Sequence, residues 1–497
     1  MKRRILSLVL AVLMTAALCG CGGGKAKGAK DELVVGISAD LDTSLDPHVS
    51  SSSAGTREVL FNIFEGLVKP DTDGNLIPAI AEDCSVNETA DAYTYTLREG
   101  VRFHNGETVK VGDIVYSLSR AAGLETGEPL VSDVSGIAAV EALDEKTVKV
   151  TLKAPDTEFN SHMTVAIIPE GSDPAANVVG TGPFRFVSRV PQDSITLEKF
   201  NDYWGEGAHV GKVTLKVIPD PQTMVMSLRS GAVDMAERLT TSQIDSLQDL
   251  TVLEGSSNVV QALYLNNDFE PFRDKRVRQA LCYAIGKQDV IDLSANGHGT
   301  PVGSSMFPAF GKYFMPELTD YYQPDAEKAK ALLKEAGQEK LSFTITVASN
   351  MPAHVDAAQV IVELLRNVGV DARINQVEWA TWYKEVYSGR EYEATIVGLD
   401  AHGLAASDML ARFQSDHSKN FVNFNSPEYD ETYRKAIATA DENEQTALFK
   451  QCERILTEQA ASVYLQDVAS FVVLQKNVSG YRFYPLYVMD LATIEKN

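Results

Sequence analysis

The chain predicts an α/β fold built from more than one domain, and two stretches carry that expectation. Residues 213–218, 223–228 and 233–235 read as strand, helix and strand. Residues 342–348, 355–367 and 371–377 repeat the pattern as a βαβ unit. Such alternation implies layers of helix over sheet. With 497 residues, the chain is too long for one core and long enough for two or three domains.

The remaining elements follow in order. Residues 33–38 read as a strand, and residues 40–55 as a polar, serine-rich loop entering a helix whose Val59, Leu60, Ile63, Phe64 and Leu67 share one face. Tyr93, Tyr95 and Leu97 alternate with Thr94, Thr96 and Arg98 in a strand that runs to a His104-Asn105-Gly106 turn. Asp113 is expected to cap a helix carrying Ile114, Val115 and Leu118. Two β-branched runs flank Asp144-Glu145-Lys146 as a hairpin, and a second hairpin follows Gly180-Thr181-Gly182-Pro183. In the second half, a strand at 262–265 leads to a helix bearing Val277, Ala280, Leu281, Ala284 and Ile285. A helix at 326–336 ends on Gly337, a strand covers 393–398, and helices at 429–440 and 446–458 precede a β-rich stretch at 463–488.

Composition excludes several function classes. The formal net charge is -23, and it becomes more negative once Lys2, Arg3 and Arg4 are removed with a signal segment. Nucleic acid and anionic lipid head groups are therefore unfavourable partners. Cys84, Cys282 and Cys452 are an odd, widely spaced set without metal-type spacing that permits at most one disulfide, with buried unpaired thiols the leading reading. The eight histidines form no HExxH, and no GxSxG nominates a nucleophile, so neither an enzyme nor a resident cofactor is expected.

The N-terminus gives a location. Lys2-Arg3-Arg4 precedes an apolar run over residues 5–18, which is shorter than the roughly 20 residues a bilayer span requires. Small residues before Cys21 resemble a bacterial lipobox. Residues 1–20 are then an export signal, Cys21 carries the lipid, and residues 21–32 form a flexible tether. The mature protein is expected outside the cytoplasmic membrane, anchored to its outer face.

Several segments resemble the extracytoplasmic solute-binding proteins of ABC importers, in the family of oligopeptide, dipeptide and nickel-chelate binders. They are Phe64-Glu65-Gly66-Leu67, Asp73-Gly74 with Pro78-Ala79-Ile80-Ala81-Glu82, and the run from Tyr93 through Gly106. Gly180-Thr181-Gly182-Pro183-Phe184, Asp202-Tyr203-Trp204-Gly205, Ser230-Gly231 with Asp234, and Arg273-Asp274 with Arg276-Val277-Arg278-Gln279-Ala280-Leu281 follow in the same order. The resemblance implies a two-lobed clamp, like a periplasmic binding protein, with an additional α+β domain inserted in lobe one. Lobe one would comprise residues 33–53, 177–260 and 475–497, the insertion 54–176, and lobe two 261–474. Two crossings near Tyr264 and Leu474 would let the lobes close by hinge bending. The implied partners are a peptide or small chelate, the importer's permease subunits and the membrane through its lipid, with the protein itself a monomer.

The resemblance also suggests a ligand site. Peptide-binding members pair an acidic residue of lobe two with the ligand's α-ammonium, in a segment that here runs from Gly398 to Asp408. Ungapped placement puts that position on His402, with Asp400 two residues before it and Asp408 six after. Asp400 and Asp408 can equally serve as strand-end and helix-cap residues. Nickel-chelate members use a histidine of lobe two, which makes His402 and His417 the alternative metal ligands. Tyr264, Asn266, Trp379 and Trp382 are candidate stacking and polar contacts, although Trp382 also suits a core. Ser51 and Ser53 lie in a loop where this family often touches ligand. A peptide receptor is thus the leading expectation and a nickel or other chelate binder the alternative. A secreted hydrolase or a signalling receptor stands behind both.

Overall fold

The computed structural model describes residues 31–49, 53–400, 403–485 and 487–497. Cys21, Ser51 and His402 lie outside the described residues.

One mixed sheet runs the length of the molecule. Its order is Asp371–Val377, Ser342–Ala348, Ala394–Leu399, Thr251–Leu265, Ser462–Leu474, Met235–Leu239, Glu32–Ile37, Lys212–Val217, Ser194–Lys199 and Phe184–Val190. Gly299–Pro301 pairs with Ser462–Leu474 off that path. The expected βαβ unit is present: Ser342–Ala348 and Asp371–Val377 pair in parallel, joined by the helix Pro352–Arg366. In the other half, Glu32–Ile37 pairs in parallel with Lys212–Val217 and Met235–Leu239. The connecting helix Pro221–Ser230 starts on Asp220, whose carboxylate accepts from Thr223 N at 2.7 Å, and stops on Gly231 at φ 74°.

Two long strands join the halves. Thr251–Leu265 and Ser462–Leu474 pair antiparallel from Thr251 opposite Leu474 to Tyr264 opposite Ser462. The register slips between Ser256 and Val260, opposite Ala469 and Asp467. A second slip follows between Gln261 and Ala262, close to the crossing expected at Tyr264. Asn258 takes φ 57° at the first slip, and Asp467 holds that bulge by accepting from Val259 N at 3.1 Å and from Ser256 Oγ. Sequence reading finds only residues 262–265 of the first strand because Glu254 to Asn258 offers no apolar alternation.

Separate cores lie on either side of this joint. Leu263, Val277, Leu281, Ile345, Ile361 and Ile396 pack in one, while Leu33, Val35, Leu197, Val213 and Leu215 pack in another. The C-terminal Met489, Leu491 and Ile494 join the second core. Lys496 ties that tail down through Asp234 at 2.7 Å and Glu32 O at 2.7 Å.

A further unit has its own core, a four-stranded antiparallel sheet under the helix Val111–Ala122. Its core begins at Leu67 and includes Ile167. Against the expected boundary at residue 54, the helix Ala54–Leu60 packs with Leu33 and Val35 through Val59 and Leu60, as do Ile63 and Phe64. Asp113 stands at the third position of its helix, where its carboxylate accepts from Lys110 N at 2.8 Å, so it completes a capping box instead of being the cap itself.

The motifs that carry the family resemblance meet at the joint between this unit and the sheet. Glu65 is buried and accepts from the Tyr203 hydroxyl at 2.7 Å, Trp204 Nε1 at 2.8 Å and Thr181 Oγ1 at 3.3 Å. Lys69 pairs with it at 3.3 Å. Gly182 N donates to Ile63 O at 2.9 Å, and a Cβ on Gly180 would stand 2.0 Å from Ile63 O. Only glycine admits so close a backbone approach. Arg278 is also scaffold: its buried guanidinium donates to Ala460 O, Phe272 O and Gln459 O, just past the C-terminus of Glu442–Glu458.

Glu65→Ala would leave the buried Trp204 N–H and Tyr203 hydroxyl without their shared acceptor, at a cost of about 2–4 kcal/mol. Urea unfolding should show a lower midpoint for this variant, whereas an unchanged midpoint would deny the joint its structural weight.

Candidate functional site

A cavity of about 530 Å³ opens where the sheet changes register. Its walls come from elements on both sides of the joint. The bulge Ser256 to Val259 forms one edge, and the first turn of Pro352–Arg366 brings His354 and Asp356. The strand Ala394–Leu399 ends beside it and delivers Asp400. From the opposite side come Glu58, Glu237 and Arg238, with Tyr481, Phe483 and Tyr487 of the C-terminal segment. Arg238 sits at a second register slip, between Glu237 and Leu239, and takes φ 58°. That kink offsets the alternation, so consecutive acidic and basic side chains both reach the cavity.

The polar groups form a chain across the cavity. The Tyr487 hydroxyl donates to Asp400 Oδ2, linking the tail to the strand end. Arg57 lies 4.3 Å from the centre of the Tyr487 ring, and Arg238 lies 5.7 Å from it. Arg238 in turn pairs with Glu58, which is buried beside Glu237. Burial, then the neighbouring Glu58, pushes the Glu237 carboxyl up to about 8. Burial also raises the Tyr487 hydroxyl, and Asp400 adds to that rise.

His354 is fixed by two contacts. Its Nε2 accepts from Gly398 N at 3.2 Å, and its Nδ1 lies 2.8 Å from Gln261 Nε2. Burial lowers the imidazole to about 4. A ring held in this way positions the strand that carries Asp400. Among the described residues, no group of histidine, cysteine and carboxylate side chains is arranged to hold a metal ion.

Of the residues nominated from sequence, Asp400 lines the cavity. Tyr264 does not: it is fully buried, and its hydroxyl donates to Val260 O at 3.0 Å. Asn266 spends its amide on Tyr392 O at 2.7 Å and accepts from Asn423 Nδ2 at 2.8 Å. Trp382 is a core residue whose Nε1 donates to Thr395 Oγ1 at 2.9 Å, and Trp379 stacks on it at 5.0 Å from outside. Asp408 lies in the first turn of Ala406–Ala411, with its carboxyl raised by burial. Ser53 caps Ala54–Leu60 by accepting from Thr56 N at 3.3 Å. His417 accepts from Lys419 N at 3.2 Å, away from the cavity. Cys282 and Cys452 are buried free thiols, and Cys84 is a half-buried one.

Sequence reading missed Glu58, Glu237, Arg238, His354 and Tyr487. The aromatic run Tyr481 to Tyr487 at the end of an otherwise apolar stretch was the one available signal. The two sides of the molecule also meet beyond the cavity. Glu158 of the four-stranded unit accepts from Ala406 N and Ser407 N, each at 2.9 Å, and Thr157 Oγ1 donates to Gln445 Oε1 at 2.6 Å.

With this geometry in place, comparison with known proteins decides the family. The profile of bacterial extracellular solute-binding proteins, family 5 Middle, matches residues 75–421. The chain belongs to this family. The dipeptide-binding protein DppE of Bacillus subtilis is 27% identical, with all of both chains covered. Among solved structures, the substrate-binding protein CtaP of Listeria monocytogenes superposes with a TM-score of 0.85 over 94% of this chain and 99% of that one, at 22% identity. The Helicobacter pylori periplasmic binding protein DppA, solved with the peptide STSA, gives a TM-score of 0.75 at 25% identity, covering 94% of this chain and 98% of that one. The fold is thus the two-lobed α/β clamp of family 5, and the protein is a solute-binding component of transport and not an enzyme.

The buried imidazole makes stability depend on pH in a defined direction. An unfolded histidine binds its proton near pH 6.5, while His354 in the folded protein binds it only near 4. Between those values the unfolded state holds the extra proton, so stability falls as pH drops from 6.5 towards 4. His354→Gln should remove up to about 3 kcal/mol of that loss, measured as the difference from wild type in urea unfolding at each pH. Parallel losses in both proteins would contradict it.

Proposed function

We propose that this protein is a lipid-anchored receptor that captures short peptides in the cavity and presents them to an ABC importer. The observation that carries this reading is Asp400, which lines a cavity with walls from both lobes and is held by the Tyr487 hydroxyl. A carboxylate so placed is the natural partner of a peptide's α-ammonium. The volume lies in the range of about 300–1,000 Å³ common to small-ligand pockets, which favours short peptides over long ones. The relatives named for dipeptides or solved with a peptide support the same class of ligand. A nickel chelate stays the alternative through His402, since the Campylobacter jejuni NikZ structure with Ni(L-His) shares the fold at a TM-score of 0.77.

In this reading, residues 1–20 are removed and lipid on Cys21 holds the receptor outside the membrane as a monomer. Capture works by closure: a ligand touching both walls stabilises the form in which they meet, and water exclusion strengthens its polar contacts. The slip at Ser256 to Val260 is the assigned hinge. Lobe one then takes the sheet from Met235–Leu239 outward with the C-terminal tail, and lobe two the sheet from Ala394–Leu399 outward.

Asp400→Asn should weaken dipeptide binding by about 2–5 kcal/mol, as expected for a buried charge pair losing one member, while His402→Gln changes it little. Isothermal titration with dipeptides and with nickel-histidine tests both, and the reverse order would establish the chelate reading. Saturating dipeptide should also shrink the radius of gyration in solution scattering, and Cys21→Ala should abolish diacylglycerol attachment by mass spectrometry.

A further inference from the structure

The cavity is more acidic than one ammonium group requires. Among the described residues, four carboxylates line it, Glu58, Glu237, Asp356 and Asp400, against one arginine, Arg238. Asp400 receives the Tyr487 hydroxyl, and Glu58 receives Arg238. Glu237 receives the Tyr481 hydroxyl in the same way but keeps one oxygen unpaired. Its Oε1 is shielded from solvent and accepts no hydrogen bond. Glu58 from the helix Ala54–Leu60, Arg238 from its own strand and Tyr481 from the C-terminal segment face it. A buried carboxylate oxygen without a partner is costly to fold, and most such oxygens in native proteins are satisfied. Glu237 lines the cavity, so a ligand that brings a donor there can satisfy this oxygen.

We propose that Glu237, with Glu58 behind it, receives a second cationic group of the ligand, so that the receptor selects short peptides carrying a basic side chain. This rests on the peptide reading above and adds a ligand class to it. Asp400 in lobe two and Glu237 in lobe one stand on opposite walls, so a ligand with two positive charges bridges the lobes, whereas one with a single ammonium engages only the Asp400 side. Burial and Glu58 hold the Glu237 carboxyl near 8, so it is largely protonated in the empty protein at neutral pH. A cation arriving there favours the ionised form and expels that proton. Arg238 does not already serve this purpose, because its guanidinium is engaged by Glu58 and lies against the Tyr487 ring.

The test is isothermal titration of the full-length receptor at pH 7 with alanyl-alanine, lysyl-alanine, alanyl-lysine and alanyl-glutamate. The basic dipeptides should bind at least about tenfold more tightly than alanyl-alanine, and alanyl-glutamate most weakly. Glu237→Gln, nearly isosteric, should erase that preference and leave alanyl-alanine within about twofold of wild type. Basic and neutral dipeptides binding wild type equally, or a preference that survives in Glu237→Gln, would overturn the proposal. Should the variant fail to fold, proton release decides: repeated in buffers of different ionisation enthalpy, wild type should release a proton with the basic dipeptides and none with alanyl-alanine, and equal release refutes the idea. If no dipeptide binds wild type, the peptide reading fails by itself, and cadaverine becomes the probe. Cadaverine binding that Glu237→Gln abolishes would sustain the cation site, and no binding, or binding the variant leaves intact, would end it.

Discussion

The pairing of Thr251–Leu265 with Ser462–Leu474 is the constraint on which the rest of the molecule depends. It makes two cores into one sheet, and it does so with two strands that would otherwise be free to slide. A continuous ladder would be stiff, because each added pair fixes the next. The slip between Ser256 and Val260 removes hydrogen bonds in the middle of that ladder and replaces them with Asp467, which accepts from Val259 N and Ser256 Oγ. Ser257 and Asn258 add side-chain bonds across the joint, to Ala469 O and Tyr484 O. Gly255 lies under the Phe483 ring, where a Cβ would come within 2.5 Å of ring carbon, so the tail can cross the joint closely enough to bring Tyr487 to Asp400.

The cavity follows from this geometry. Three of its edges sit at strand irregularities: the bulge at Ser256 to Val260, the slip at Glu237 to Leu239 and the strand end before Asp400. Regular strands turn alternate side chains to opposite faces and cannot crowd polar groups at one spot. Asn258 and Arg238, two of the nine non-glycine residues with positive φ among the described residues, fall at these breaks.

Much of the fold was legible in the sequence because periodicity reports packing against a local neighbour. The βαβ unit at Ser342–Ala348 and Asp371–Val377 is recovered to the residue or nearly so. What failed had a physical cause in each case. The first crossing strand reads as four residues instead of fifteen, because the stretch Glu254 to Asn258 offers no apolar alternation. The helix Ala54–Leu60 was assigned to the insertion by position in the chain, while its apolar face belongs to the core of Leu33 and Val35. The motifs that gave the family away proved to be joinery: Glu65, Gly180, Gly182, Tyr203 and Trp204 hold one unit to another and touch no part of the cavity. That separation explains why the family was readable and the site was not. Joints recur wherever the fold does, whereas Glu58, Glu237 and Tyr487 meet only in space.

The same distinction governs the electrostatics. A net charge of -23 spread over the surface is screened within about 10 Å at ordinary ionic strength and says little about a ligand. Inside the cavity the balance is set by a few groups in reduced dielectric, where each carboxylate either has a partner or resists ionising. Glu58 pairs with Arg238 although burial raises its carboxyl, and Asp400 accepts from a phenol that is itself pushed upward. Glu237 has the Tyr481 hydroxyl at one oxygen only, and burial beside Glu58 pushes its carboxyl up to about 8. Closure over a neutral ligand would bury that group more deeply and gain nothing from it, whereas closure over a cation converts the least favourable residue of the wall into a paired charge. Selectivity and closure are in this way one property of the site, because the group that discriminates between ligands is also the one whose burial opposes closing without them.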